Sequence, residues 1–288
     1  MDNSIEFHAL PSVAAGRARG GRDTQQDDLA CLYDPATHTY LLVLADGMGG
    51  DGAGELASQG VIDVAHRLWE RGEWRRQPTS LFLESLCQAA HAELRRRQVR
   101  LASGATHSTV VALLVKDSRV AWAHVGDSRL YRFNGRRLMG RTEDHSLAQL
   151  KYRRGEISEC ELATHADQQQ LLRGLGGPDE PVVDHGSGDL RRGHAFVLCS
   201  DGVWTQLQDD ELGRFAQRRD QHEALHEAIH LAVERGGISG DNVSLIFARP
   251  QVGSGRRRLG GGFWPALWQA IFPIRRRSKS PVNTYDEV

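Results

Sequence analysis

The chain has 288 residues, 40% hydrophobic and 25% charged, with a formal net charge of −1. This describes a globular protein of one large or two small domains, with enough chain to bury a core without staples, and the near-neutral charge gives no reason to expect nucleic acid as a partner. Cys31, Cys87, Cys160 and Cys199 are scattered; they form no zinc knuckle, redox pair or disulfide framework and suit a reducing compartment. The N-terminus lacks a basic stretch followed by an apolar run, and no run of about 18 apolar residues occurs, so neither a signal peptide nor a membrane span is expected and the cytosol is the expected location.

In chain order, residues 40–45 (Tyr-Leu-Leu-Val-Leu-Ala) read as a buried strand that delivers an Asp-Gly loop, and 28–33 can pair with it across Asp34-Pro35. The period then changes. Ala57, Val61, Val64, Ala65 and Leu68 share one face of a helix over 54–69, and Phe82, Leu86, Ala89, Ala90 and Leu94 share a face of a second over 80–97. Strands follow at 109–115, 119–125 and 129–133, with turn residues between them. A helix over 144–153, with Asp144 as its cap, leads into an irregular polar stretch at 155–189. A strand at 195–199, a helix at 223–234 and a strand at 243–248 complete the pattern. Strands and helices come in runs rather than strict alternation, which favours α+β layers over a parallel doubly wound sheet.

Four segments place an aspartate beside glycine, three of them closing an apolar run: Leu44-Ala-Asp46-Gly47, His124-Val-Gly126-Asp127-Ser128, Leu198-Cys-Ser-Asp201-Gly202 and Ser239-Gly240-Asp241-Asn242. Taken singly, each reads as a turn. Taken together, they describe carboxylates held rigidly at strand ends, which repel one another unless cations lie between them. All-oxygen ligands of this kind select Mg²⁺ or Mn²⁺. An EF-hand at Asp46 fails, because Met48 and Gly50 occupy its third and fifth positions, and the 13 histidines form no HExxH motif.

In order along the chain, these motifs resemble the type 2C (PPM) family of metal-dependent Ser/Thr protein phosphatases in its bacterial form. The carriers are Arg22-Asp-Thr-Gln-Gln-Asp27, Ala45-Asp-Gly-Met-Gly-Gly50 with Gly54-Glu-Leu-Ala-Ser58, Ser108-Thr-Val-Val-Ala112, Val125-Gly-Asp-Ser-Arg129, Asp144-His-Ser146, Leu198-Cys-Ser-Asp-Gly202 and Gly240-Asp-Asn-Val243. The resemblance covers about 16–249. It implies a four-layer α-β-β-α sandwich with two central antiparallel sheets and helices on the outer faces. It also implies a binuclear Mn²⁺ or Mg²⁺ centre, with a third ion in some members, whose bridging hydroxide hydrolyses phosphoserine and phosphothreonine in proteins, reversing a Ser/Thr kinase. Carried over by position, Asp46 bridges both metals, the Gly47 carbonyl joins one, Asp201 and Asp241 hold the other, and Asp127 ligates the third. Asp27 orients metal-bound water and Arg22 grips the substrate phosphate, a task suited to a planar fork. Met48 stands where many eukaryotic members carry a histidine that can donate a proton; methionine cannot, which leaves water as the donor. Gln25 and Gln26 also depart from the family pattern.

Residues 1–250 are expected to form the phosphatase domain, a monomer, with about 145–189 as a mobile flap that helps choose substrates. Beyond it, residues 251–288 form a basic and aromatic tail, with seven Arg or Lys against two acids from Pro250 onward. Such a tail suits weak contact with an anionic membrane surface or a partner, or folding back onto the domain. The expected substrates are phosphorylated proteins, a Ser/Thr kinase among them. Two alternatives stay open: a non-catalytic phosphoprotein-binding regulator, and a hydrolase of small phosphate esters.

Overall fold

The computed structural model describes residues 4–50, 52–101 and 106–251; the expectations for the tail lie outside these. The described elements, in chain order, begin with β1 (Glu6–Leu10), β2 (Val13–Ala18), β3 (Asp27–Asp34), β4 (Thr39–Met48), α1 (Ala53–Glu70), α2 (Glu73–Arg76) and α3 (Thr79–Leu101). Then come β5 (His107–Ser108), β6 (Val110–Lys116), β7 (Arg119–Val125), β8 (Arg129–Asn134), β9 (Arg137–Arg141), α4 (Leu147–Arg153) and β10 (Asp184–Asp189). The last five are β11 (His194–Cys199), α5 (Asp201–Trp204), α6 (Asp209–Ala216), α7 (Gln221–Gly236) and β12 (Val243–Ala248).

Side-chain alternation along the central strands explains why they are apolar throughout. In β4, Leu41, Val43 and Ala45 face a core shared with α1 and α3, whereas Leu42 and Leu44 face a second core with Phe196, Leu198 and Ile246 of the other sheet. The same split holds in β6, with Ala112 and Leu114 on the helix side and Val111 and Leu113 on the sheet side. In β11, Val197 and Cys199 meet α5, α6 and α7, while Phe196 and Leu198 meet the opposing sheet. A strand covered on both faces must be apolar on both. Each fully buried leucine among them contributes about 1.5–3 kcal/mol.

The result is the expected four-layer α-β-β-α sandwich. One sheet runs β1-β2-β12-β11-β8-β9 and the other β10-β7-β6-β4-β3, with β5 paired to β4, and every named pairing is antiparallel. The helical faces read from the sequence are largely the ones buried: Ala57, Val61, Val64 and Ala65 in α1, and Phe82, Leu86, Ala90 and Leu94 in α3, are fully covered, while Ala89 is half-buried at the edge of its face. Between β6 and β7, Asp117 and Ser118 both adopt positive φ (52° and 58°), the twist-matched geometry of a two-residue hairpin turn.

Several features differ from the expectation. The α4 cap is Ser146, whose side chain accepts from the Gln149 amide; Asp144 instead pairs with Arg129. The stretch expected to be irregular at 155–189 ends in a full strand, β10, on the edge of a sheet against β7. Its sequence, Asp-His-Gly-Ser-Gly-Asp, has no strand propensity, so pairing with β7 overrides local preference, as edge positions permit. The β1–β2 hairpin and the short helices α5 and α6 also escaped the pattern reading. β2 is Val-Ala-Ala-Gly-Arg-Ala, with too little contrast between its faces to show a period.

Candidate active site

β3 and β4 are in a register that sets Asp27 opposite Asp46, and both point into the seam between the sheets' ends. The other sheet contributes Asp201 at the start of α5, directly after β11, and Asp241 just before β12. Asp127 comes from the β7–β8 connection. The structure thus brings together all five aspartates singled out in the sequence, from both sheets.

Small polar groups fix their backbones. Thr109 Oγ1 accepts from the Asp46 amide at 3.1 Å, while the Thr109 amide (2.8 Å) and Ser108 Oγ (3.0 Å) donate to the Asp46 carbonyl. Ser200 Oγ donates to Asp27 Oδ2 at 2.8 Å, and Trp204 Nε1 donates to the Asp127 carbonyl at 3.0 Å. Gly47 allows the first turn of α1 to approach: a Cβ there would lie 1.9 Å from the Gly54 carbonyl oxygen.

The carboxylates are electrostatically frustrated. Burial is the main cause, and it pushes Asp27 up to about 6 and Asp201 up to about 7. Asp46 rises well above the usual carboxylate range through burial and then repulsion from Asp27, Asp201, Asp127 and Asp241. Asp127 rises similarly through burial, Asp201 and Asp144. Asp201 Oδ1 is buried and has no hydrogen-bond partner. A cluster of oxygen donors with an unpartnered atom and uncompensated charge fits hard divalent cations. The residues present therefore fit the kind of ion that the motifs imply.

Arg22 reaches the cluster from its rim. Its Nη2 donates to Asp241 Oδ2 at 2.7 Å with half of its side chain exposed, so it sits where it can face an incoming anion.

Three supporting groups lay inside the recognised motifs without a role assigned to them. Asn242 accepts from the Gln26 amide at 2.7 Å and donates to the Arg19 (2.8 Å) and Thr24 (2.9 Å) carbonyls, stapling the Arg22 loop to β12. Arg129 makes a two-pronged pair with Asp144 at 2.7 and 2.6 Å and lies 3.5 Å over the Trp204 ring. Ser200 joins Asp27 of one sheet to β11 of the other. A groove of about 770 Å³ lined by Ser12, Arg219, Asp220, Gln221 and Arg249 lies away from this chemistry; its one carboxylate, Asp220, caps α7.

Residues 16–234 match the family model described as protein phosphatase 2C. The chain belongs to that family. Among similar protein phosphatase 2C relatives is the serine/threonine protein phosphatase PstP of Mycobacterium tuberculosis, 32% identical over 213 residues, which are 72% of this chain and 40% of PstP. This chain thus spans less than half the length of that relative. The serine/threonine phosphatase stp of Listeria monocytogenes is 28% identical over 246 residues, 83% of this chain and 94% of stp. The crystal structure of the M. tuberculosis serine/threonine phosphatase PstP/Ppp superposes with a TM-score of 0.72 at 29% identity, covering 82% of this chain and 97% of that one. A structure of the PstP catalytic domain in complex with two manganese ions gives a TM-score of 0.68 at 28% identity, covering 85% and 98%.

Proposed function

We propose that this chain is a metal-dependent phosphatase that hydrolyses phosphoserine and phosphothreonine in proteins. The observation that carries the reading is the convergence of five aspartates from two sheets into one frustrated, all-oxygen cluster with a buried unpartnered carboxylate atom on Asp201. Family membership and a relative crystallised with two manganese ions support it.

Asp46 would hold two Mn²⁺ or Mg²⁺ ions jointly, with the Gly47 carbonyl on one and Asp201 and Asp241 on the other; Asp127, with Asp201, would hold a third. When bound, the ions acidify water and offset the charge that grows on the phosphoryl oxygens. The protein's own residues do the rest. Asp27, held by Ser200, would orient the attacking water. Arg22 exchanges its Asp241 partner for two phosphate oxygens and so orients the ester. No covalent intermediate with the protein forms, and the seryl or threonyl alkoxide takes its proton from water. The substrates are phosphorylated proteins, the reaction opposes a Ser/Thr kinase, and the site of action is the cytoplasm. Among the described residues, no helix is long and apolar enough to cross a membrane.

The deciding experiment is phosphate release from a phosphothreonine peptide with Mn²⁺, with Mg²⁺ and with excess chelator, beside the Asp201→Asn variant. Turnover should need metal and fall at least ~100-fold in the variant, the loss of several kcal/mol of charge stabilisation. Folded protein inactive with every metal would sink the enzyme reading. Faster turnover of small phosphate esters than of phosphopeptides would move the substrate class instead.

A further inference from the structure

Outside the aspartate cluster, a second group of titratable side chains gathers beside the Gly126–Asp127 turn. His124, His145 and Asp184 offer nitrogen and oxygen atoms that all lie within 4.8 Å of one another. His124 lies near the end of β7, His145 sits two residues before α4, and Asp184 opens β10, where strand register places it opposite His124. The trio could be a metal trap or a hydrogen-bonded latch, and counting protons separates the two.

His145 Nδ1 accepts from the Gly126 amide at 3.1 Å. A neutral imidazole has one proton, so that proton sits on Nε2, which faces Asp184 Oδ2 at 3.2 Å. A metal at Nε2 would have to displace it. The metal would also meet Arg173, whose Nη1 lies 3.3 Å from His145 Nε2 and donates to Asp184 Oδ1 at 2.9 Å. His124 donates from Nε2 to the Glu143 carbonyl at 2.9 Å and stacks on the His145 ring at 4.6 Å. Burial and the neighbouring His124 hold His145 down at about 4, which keeps it neutral, as an Nδ1 acceptor must be.

The grip on Gly126 is double, because the His145 amide also donates to the Gly126 carbonyl at 3.0 Å. Gly126 has φ +107°, and a Cβ there would come within 2.6 Å of Thr109 Cγ2. The turn therefore needs glycine at this position and is held by both hydrogen bonds, and the next side chain is Asp127. On its other side His145 is tied to the segment before β10: its carbonyl accepts from the Leu172 amide at 2.7 Å, and Ser146 bridges Leu171.

We propose that His145 is a positioning residue that holds Gly126, and through it the Asp127 carboxylate, in the orientation the third metal site would use, while Asp184, itself held by Arg173, fixes the imidazole tautomer. The segment carrying Arg173 and Asp184 is thereby coupled to a metal ligand it does not touch. The proposal rests on the assignment of Asp127 as a ligand made above.

The test uses the full chain and two readouts besides activity. The first is ¹⁵N–¹H correlation of the imidazoles in metal-free protein, which should show protons on Nε2 of both His124 and His145. The second is Mn²⁺ titration by calorimetry. His145→Phe and Asp184→Ala should weaken the lowest-affinity step at least ~10-fold, in the range seen when outer partners of ligands are removed, and leave the tighter steps alone. His145→Asn keeps an acceptor near Nδ1 and should retain the step. Wild-type titration curves in a folded His145→Phe variant would overturn the proposal, as would equal failure of the Asn and Phe variants. A proton on His145 Nδ1, or stoichiometric Zn²⁺ shifting the His124 and His145 signals together, would overturn it in favour of a metal trap. If Asp127→Asn leaves the Mn²⁺ titration unchanged, the Asp127 assignment fails and the coupling with it, an outcome distinct from a wrong tautomer.

Discussion

Arg129 is a cation taken almost wholly out of water, with side-chain exposure of 6%, and Asp144 beside it is at 3%. Its charge is answered by the two Asp144 oxygens, the Tyr131 hydroxyl at 3.1 Å and the Trp204 ring. A buried pair of this kind adds little net stability over an apolar substitute, yet removing one member strands the other. Asp144→Ala should therefore destabilise the fold by about 3–5 kcal/mol, whereas the double change Arg129→Met with Asp144→Leu should recover most of that loss. Urea unfolding of the three proteins checks this, and a double variant no better than the single one would contradict it. The same pair marks the limit of reading from sequence. Asp144 before a helix looks like a cap, because capping is a local property; its true partner lies 15 residues upstream and is chosen by tertiary packing. Asp46, Asp201 and Asp241 were legible because each stands next to a glycine within a motif that the resemblance carries. Arg22 meeting Asp241 was not, since 219 residues separate them.

Helices and strands were readable where two faces differed in polarity. α1 and α3 carry apolar stripes wide enough to set their period, and β4, β6 and β11 are apolar because both faces are covered. β10 and β2 lack any such contrast and take their form from a neighbour. Helix ends depend on single side chains, and α7 supplies a clean case. Asp220 accepts from the amides of His222 and Glu223, both at 3.0 Å, satisfying two otherwise unpaired donors. Asp220→Ala should cost about 0.5–2 kcal/mol, read as a shift in the urea midpoint. Because α7 packs on the outer face of its sheet, Mn²⁺-dependent turnover at 25 °C should be unchanged. A large loss of turnover in that variant would mean α7 supports the site in a way its contacts do not reveal.

For the molecule as a whole, the aspartate cluster should make stability depend on metal and pH together. Asp27 and Asp201, raised to about 6 and about 7, hold protons in the folded state that the unfolded chain has already released above about pH 4. Without metal, stability from this source therefore falls as pH climbs from about 4 to about 7. His145 acts in the opposite sense: held down to about 4, it adds stability above its unfolded value near 6.5, and that contribution fades as pH drops toward 4. The rise in Tm produced by Mn²⁺ should grow steadily between pH 5 and pH 7.5, because bound ions need the deprotonated ligands. An increment independent of pH would mean that the carboxylates are ionised across that range without help.

The sheet that carries Asp201 and Asp241 is closed by β2 pairing with β12, Val13 lying opposite Ala248 and Ala18 opposite Val243. On the ribosome, where chains grow at about 5–20 residues per second, the hairpin of β1 and β2 emerges ahead of the other described elements and then waits tens of seconds for the strand that completes its sheet. The opposing sheet, β10-β7-β6-β4-β3, needs nothing beyond residue 189 and is free to assemble in the meantime. Its inward face is left bare until β11 and β12 arrive, which makes that interval the time when the nascent chain most depends on holdase protection.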